Sequence, residues 1–274
     1  LKEHGYTHQV LVRLKQTDDG ILRNGIWAYT NERLCKDDLI TVQIVENECS
    51  DNIAPVNLPL DIAYEDDDII VINKPFDMPA HPSAGNHDNT LANALMYYYG
   101  SQNKPFVYRC INRLDRDTTG LTIVAKHALA GGILGNAVAK RAIHRTYYAV
   151  CSGCTPACMR ISAPIARKDA STIERCVDFK RGENAVTDFI RIKYNPDNNL
   201  SLVKLRLLTG RTHQIRVHMK YIGFPLIGDF LYNPDYTYIS RQALHSGRLV
   251  FTHPVTGQKM NLISDIPSDM KSLF

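Results

Sequence analysis

Two short segments place ionisable side chains where a packed core would not tolerate them. The first is Ile111-Asn112-Arg113-Leu114-Asp115-Arg116-Asp117-Thr118-Thr119-Gly120. The second is Leu208-Thr209-Gly210-Arg211-Thr212-His213-Gln214-Ile215-Arg216-Val217-His218. Both lie between apolar runs, and a buried charge is costly unless it is paired. Together they point to a carboxylate held beside a guanidinium in a basic cleft. A carboxylate that acts as a nucleophile must stay ionised, and a neighbouring guanidinium favours the charged form. Asp115 and Asp117 are both candidates by residue type, although an Asp before Thr-Thr-Gly is also a common turn or capping residue. Arg113 and Arg116 are the local partners; Arg211 and Arg216 are the distant ones.

Metal chemistry fits less well. Cys151, Cys154, Cys158 and Cys176 are near one another in sequence, but their spacing is not that of paired zinc knuckles. His213 and His218 are five positions apart, which does not put them on one helical face. The chain also lacks a dinucleotide glycine fingerprint and a phosphate-binding loop. No metal and no cofactor is expected.

The elements that must position these groups can be read from periodicity. Ile69–Asn73, Leu121–Ala125, Tyr147–Val150, Phe189–Ile192 and Leu202–Leu208 read as strands. Thr90 to Tyr99 has helical spacing with a stop at Gly100, and Ala128 to Ala142 is helix-like despite Gly131, Gly132 and Gly135. Gln214 to Tyr221 reads as a helix with Ile215, Met219 and Ile222 on one apolar face. Many β runs and few helices predict an α+β fold with a mixed or antiparallel sheet.

Residues 1–48 read as a separate small module. It contains a helix around Val10–Leu14 capped by Thr7, turns at Asp18–Gly20 and Asn24-Gly25, and a strand over Leu39–Val45. Residues 49–59 are rich in turn formers and read as a linker. Residues 60–274 are then the main domain. Because it opens on Leu1 rather than Met, the chain reads as a fragment without its native start.

The 274 residues carry a net charge of only +4, but that charge is uneven. Residues 104–146 hold eight Lys/Arg against two Asp, and residues 201–220 hold five against none. The basic stretches coincide with the candidate chemistry, as a polyanionic partner would require. Seven cysteines, an odd number, fit a reducing cytoplasmic setting better than a disulfide framework. No apolar run is long enough to span a membrane.

The two polar segments resemble signature motifs of the RluA family of RNA pseudouridine synthases. The first is similar to (His/Asn)-Arg-Leu-Asp-x-x-Thr-(Ser/Thr)-Gly, with Asn112 in place of the commoner His. The second matches Gly-Arg-(Ser/Thr)-His-Gln-(Leu/Ile)-Arg-Val-His. Arg145-Thr146-Tyr147-Tyr148-Ala149 resembles the family's Lys-x-Tyr-x-Ala strand, with Arg145 at the Lys position. Further blocks are Tyr64 to Pro75 continuing to His81-Pro82, Pro164-Ile165-x-Arg167, and Gly223-x-Pro225-x-x-Gly228-Asp229. The resemblance implies that Asp115 is the catalytic residue, that Arg216 pairs with it bidentately, and that Tyr147 lies against the target base. It also implies that Arg113 enters the space vacated by a flipped base, and that Arg116, Arg145, Arg211 and His213 contact RNA. Lys74-Pro75 is given a largely structural role. Residues 1–48 resemble the later half of a ribosomal-protein-like αL RNA-binding module, although residues 1–59 sum to −3.

The implied activity is isomerisation of specific uridines in structured RNA by a monomer, with large-subunit ribosomal RNA favoured over tRNA. A non-catalytic RNA-binding or ribosome-assembly protein would share the basic surface but would not need Asp115. A nucleoside or glycoside hydrolase would need a second catalytic acid, and none recurs in a comparable setting.

Overall fold

The computed structural model describes residues 1–83, 85–169, 171 and 173–274. After a 3-10 turn at Lys2–His4 come α1 (His8–Lys15), β1 (Ile21–Arg23), β2 (Ile26–Trp27) and β3 (Ile40–Val42). Next are β4 (Ile62–Glu65), β5 (Ile69–Lys74), α2 (Leu91–Gly100), β6 (Arg109–Cys110), β7 (Thr119–Ala125) and α3 (Ala128–Ala139). Then follow β8 (His144–Ser152), β9 (Cys158–Ser162), β10 (Ile165–Arg167), β11 (Arg175–Val177), β12 (Val186–Asn195) and β13 (Leu200–Leu207). The chain closes with α4 (Gln214–Tyr221), β14 (Leu244–Thr252), β15 (Lys259–Ile263) and α5 (Ser268–Lys271).

One large sheet organises the molecule. Its strands run in the order β4-β5-β7-β14-β8-β13-β12-β9, with β15 added to β14 and β6 to β7. β7 and β14 are parallel, and the other neighbours are antiparallel. This is the α+β architecture with a mixed sheet that the pattern predicted. β5 shows why it is two-sided. Ile69 and Val71 point into one core with Ala130 and Leu134 of α3, while Ile70 and Ile72 pack on Leu91 and Leu95 of α2. Full burial of each such side chain stabilises the fold by about 1.5–3 kcal/mol. That explains why the strand reads as an unbroken apolar run rather than an alternating one.

Helix ends follow their caps. The Thr7 hydroxyl accepts from the Val10 N–H, starting α1. Thr90 and Asn93 form a reciprocal capping box at α2. Two helix ends differ from expectation. Gly100 is the last residue of α2 rather than its stop, and α3 ends at Ala139 because Arg141 adopts a left-handed conformation, φ 57°. β3 is shorter than the apolar run 39–45 because its partner β1 offers only three residues to pair with.

The first helix buries Val10, Leu11 and Leu14 against Ile21, Ala28 and Leu129 of α3. Residues 49–59 contain no helix or strand; Ile53 and Leu58 lie against the α2 core, and the Ser50 N–H donates to the Phe106 carbonyl at 3.2 Å. Among the described residues no helix is long and apolar enough to cross a membrane.

Candidate active site

Asp115 sits in the loop between β6 and β7, and Arg216 on α4. The loop is fixed by its own motif. Asn112 is buried; its amide donates to the Leu121 carbonyl and its oxygen accepts from the Ile123 N–H at 2.9 Å. Thr118 accepts from the Gln242 amide at 2.6 Å. The Thr119 hydroxyl donates to His245 Nδ1 at 2.9 Å, since His245 Nε2 must donate to the Ser264 carbonyl. Burial pushes His245 down to about 4, so this neutral arrangement holds near neutral pH. Gly120 has φ 108°, and a Cβ there would lie 2.3 Å from the Ser246 carbonyl oxygen. Only glycine lets β7 leave the loop this close to β14.

The Asp115 carboxylate is partly exposed, and its Oδ2 accepts from Arg216 Nη1 at 3.0 Å. The expected contact is present, but it is a single bond. The bidentate grip belongs to Asp229 instead, with Nε to Oδ2 at 2.7 Å and Nη2 to Oδ1 at 2.8 Å. The reason is geometric: Asp229 is fully buried alongside the guanidinium fork, leaving only Nη1 for the loop. The ring of Tyr232 lies 5.0 Å from the Arg216 guanidinium carbon, and that of Phe230 5.4 Å. Burial works against the charge on Arg216, but the Asp229 hydrogen bonds and both carboxylates raise its pKa well above the ordinary arginine value. Asp229 sits in the Gly-Asp block of the sequence, where nothing marks it as more than a turn residue.

The rest of the second motif divides into scaffold and site. The Gln214 oxygen accepts from the Thr209 hydroxyl at 2.7 Å and the Arg211 N–H at 3.0 Å, and its amide donates to the Val186 carbonyl and the Thr187 hydroxyl. His218 is buried between Thr187 and the Ala163 carbonyl. Both residues anchor α4 to the sheet. His213 instead faces the cleft, with Nε2 3.9 Å from Asp115 Oδ2.

A cleft of about 1030 Å³ opens over Asp115. Six arginines line it, Arg113, Arg116, Arg141, Arg145, Arg206 and Arg211, and Asp115 is the sole carboxylate among its described lining residues. Arg141, which the basic stretch marks as a phosphate contact outside the pocket, lies in its lining, and Arg206, His81 and His144 join it without a signal in the sequence. Strand alternation marks Arg206 as exposed, between the inward-facing Leu205 and Leu207, but does not assign it to this cleft. Below the cleft, a recess of about 90 Å³ is bordered by Asp115, Arg216, Arg145 and Tyr147. Tyr147 is thus beside the carboxylate but largely buried, packing with Leu114, Ile215 and Leu244. Tyr148 points to the opposite face, as strand alternation requires.

Several arginines are partly engaged. Arg116 pairs with Asp117 at 3.2 Å and approaches Asp77 at 3.7 Å. Arg211 pairs with Glu183 and donates to the Asn184 carbonyl. Lys74 is buried beneath the loop, and its ammonium donates to the carbonyls of Pro75 at 2.7 Å and Arg116 at 2.9 Å. Burial pushes it down to about 7, against the opposing pull of Asp117 and Asp115.

Cys151 is buried, Cys154 and Cys158 are exposed, Cys176 is half-buried, and all are free thiols. Among the described residues the one metal-like trio is Asp66, Asp68 and His253. Its protons make it a hydrogen-bonded cluster. His253 Nδ1 accepts from the Val255 and Thr256 N–H groups, so Nε2 carries a proton and gives it to Asp66 at 2.8 Å.

The fold that carries this site is similar to those of solved pseudouridylate synthase domains. The human protein titled RNA Pseudouridylate Synthase Domain Containing 1 superposes with a TM-score of 0.63 over 76% of this chain and 83% of its own, at 26% identity. A family model described as RNA pseudouridylate synthase matches residues 68–221. The uncharacterized RNA pseudouridine synthase YjbO of Bacillus subtilis is 38% identical over 274 residues, covering 99% of this chain and 95% of that one. The ribosomal large subunit pseudouridine synthase D of Haemophilus influenzae is 41% identical, over 84% of this chain and 75% of its own. The chain belongs to the RNA pseudouridine synthase family, on its RluA branch, and is an isomerase.

Proposed function

We propose that this enzyme isomerises specific uridines in structured RNA, with large-subunit ribosomal RNA as its favoured substrate and tRNA the second choice, and that Asp115 is its catalytic residue. The observation that carries this reading is a single carboxylate facing six cleft arginines and fastened by one oxygen to a buried guanidinium. Arg216 occupies Oδ2, which leaves Oδ1 free to act at the ribose. The reaction breaks the bond from C1′ to N1, turns the uracil and rejoins C1′ to C5. The proton lost from C5 is balanced by one gained at N1, so no cofactor is needed.

The recess beside Tyr147 takes the base, and Arg113, which lines both cleft and recess, fills the gap that the extruded nucleotide leaves. Extrusion costs a few kcal/mol, and an inserted side chain offsets part of it. Arg116, Arg145 and Arg211 contact the RNA backbone, positioning it without reading bases. The small module around α1 adds contacts beyond the cleft. The names of the ribosomal large-subunit relatives support the choice of rRNA, and the enzyme works as a cytoplasmic monomer.

Asp115→Asn keeps the shape but removes nucleophilicity and basicity. Pseudouridine formation on rRNA and tRNA transcripts should be abolished with RNA binding retained, while Asp117→Asn keeps appreciable activity. Turnover of Asp115→Asn within about tenfold of wild type would sink the assignment and favour an RNA-binding role without chemistry.

A further inference from the structure

We infer that His213 is a positioning residue for Asp115, held as its Nε2–H form by Tyr232 so that it engages the same carboxylate oxygen as Arg216 and leaves Oδ1 as the reacting atom. The inference rests on Asp115 being the catalytic group.

His213 is the N-cap residue of α4, yet its side chain makes no cap hydrogen bond. His127, the N-cap of α3, does cap its helix, with Nδ1 accepting from the Ala130 N–H at 3.2 Å. His213 instead adopts φ 56°, a left-handed conformation that costs a non-glycine residue about 1–2 kcal/mol. Such strain persists only where the surroundings impose it, and it clusters at functional sites.

The surroundings also fix the proton. The Tyr232 hydroxyl oxygen accepts from the Arg175 N–H at 2.9 Å and lies 3.0 Å from His213 Nδ1. A tyrosine has one proton to give. Among the described residues, His213 Nδ1 is the acceptor within reach of it. Nδ1 therefore accepts, and the neutral ring carries its hydrogen on Nε2. Burial lowers the His213 pKa; Asp115 and Asp229 oppose this, while Arg216 and Arg175 reinforce it.

Nε2–H faces Asp115 Oδ2 at 3.9 Å, the oxygen that already accepts from Arg216 Nη1. Catalytic contacts in an unliganded enzyme are commonly long and tighten when substrate binds. Two donors converge on one oxygen, and neither addresses the other. Through Arg175 the chain of contacts runs out to the β10–β11 hairpin, so the backbone of that hairpin orients a proton at the reacting centre.

The test measures single-turnover pseudouridine formation, RNA Kd and thermal unfolding for His213→Leu, His213→Gln, Tyr232→Phe and Asp115→Asn. His213→Leu should slow the rate by about tenfold or more, the worth of one hydrogen bond to a charged group, with Kd within about threefold. His213→Gln, which restores an N–H near the imidazole Nε2 position, should recover most of that loss. Tyr232→Phe should slow the rate by less, because it frees the tautomer without removing the ring.

A wild-type rate for His213→Leu beside an inactive Asp115→Asn overturns this inference alone. An active Asp115→Asn removes the reading beneath it. A loss confined to Kd makes His213 an RNA contact, and equal defects in the Leu and Gln variants make it a packing residue; either result refutes the positioning role. If His213→Leu does not fold, an unchanged rate in Tyr232→Phe decides against it.

Discussion

Arg216 holds Asp229 and Asp115 through different atoms, so its effects on stability and on the proposed catalysis should separate. Arg216→Met leaves Asp229 fully buried with no counter-charge. Breaking a buried pair from one side costs about 3–5 kcal/mol. At roughly 2–4 °C per kcal/mol for a domain of this size, Tm should fall by roughly 6–20 °C. The same substitution removes the charge-assisted bond to Asp115, worth about 1.5–3 kcal/mol, and so about 10- to 150-fold in single-turnover rate. Adding Asp229→Asn removes the orphaned charge. It also preserves an oxygen for the Leu231 and Tyr232 N–H groups that Asp229 now accepts from. The double variant should therefore regain most of the lost stability and none of the lost rate. Thermal unfolding and single-turnover pseudouridine formation read the two quantities independently. A Tm for Arg216→Met within about 2 °C of wild type would refute the energetic argument. Recovery of rate along with stability in the double variant would show that Arg216 acts only as scaffold.

Three further outcomes follow from the site. Lys74 falls from 10.5 in the unfolded chain to about 7 in the fold, so between those values the unfolded chain binds the extra proton and stability rises with pH. Relative to Lys74→Met, wild type should gain up to about 1.4 kcal/mol per pH unit above about pH 7; parallel pH curves from urea unfolding would contradict this. RNA affinity should fall steeply with salt, and replacing Arg141 or Arg206 by Gln should flatten the slope of log affinity against log salt by about 0.7–0.9 each, provided each meets one phosphate. An unchanged slope places that arginine off the RNA path. Removing residues 1–48 uncovers Leu129 and should lower Tm; Kd for rRNA fragments should weaken while the rate at saturating RNA stays within about threefold. Equal affinity at equal salt would take the module out of the RNA site.

The sequence made some of this legible and hid the rest for physical reasons. Charges between apolar runs marked both segments, but the choice of Asp115 over Asp117 and of Arg216 among four arginines came from the family resemblance; the two groups meet at 3.0 Å. Two-residue alternation on β8 allowed only one of Tyr147 and Tyr148 to face the site and the resemblance picked Tyr147, while the extent of α4 followed from its apolar face. Asp229 could not be found this way: a single Asp after Gly reads as a turn, and its burial depends on α4 arriving from elsewhere in the fold. Nor could the second motif be sorted. Gln214, Arg216 and His218 are all polar and all buried, and only the tertiary partners make two of them scaffold and one a handle on the carboxylate. Arg141 and Arg206 join one wall of the cleft from α3's end and from β13, a convergence set by strand order rather than by spacing. Gly120 shows the same limit. Its place after two threonines reads as a turn, but what excludes a side chain is the Ser246 carbonyl of β14, a strand that the local pattern cannot place beside it. Local chemistry is thus readable wherever a residue type is out of place for its own segment, and unreadable wherever its partner is what makes it matter.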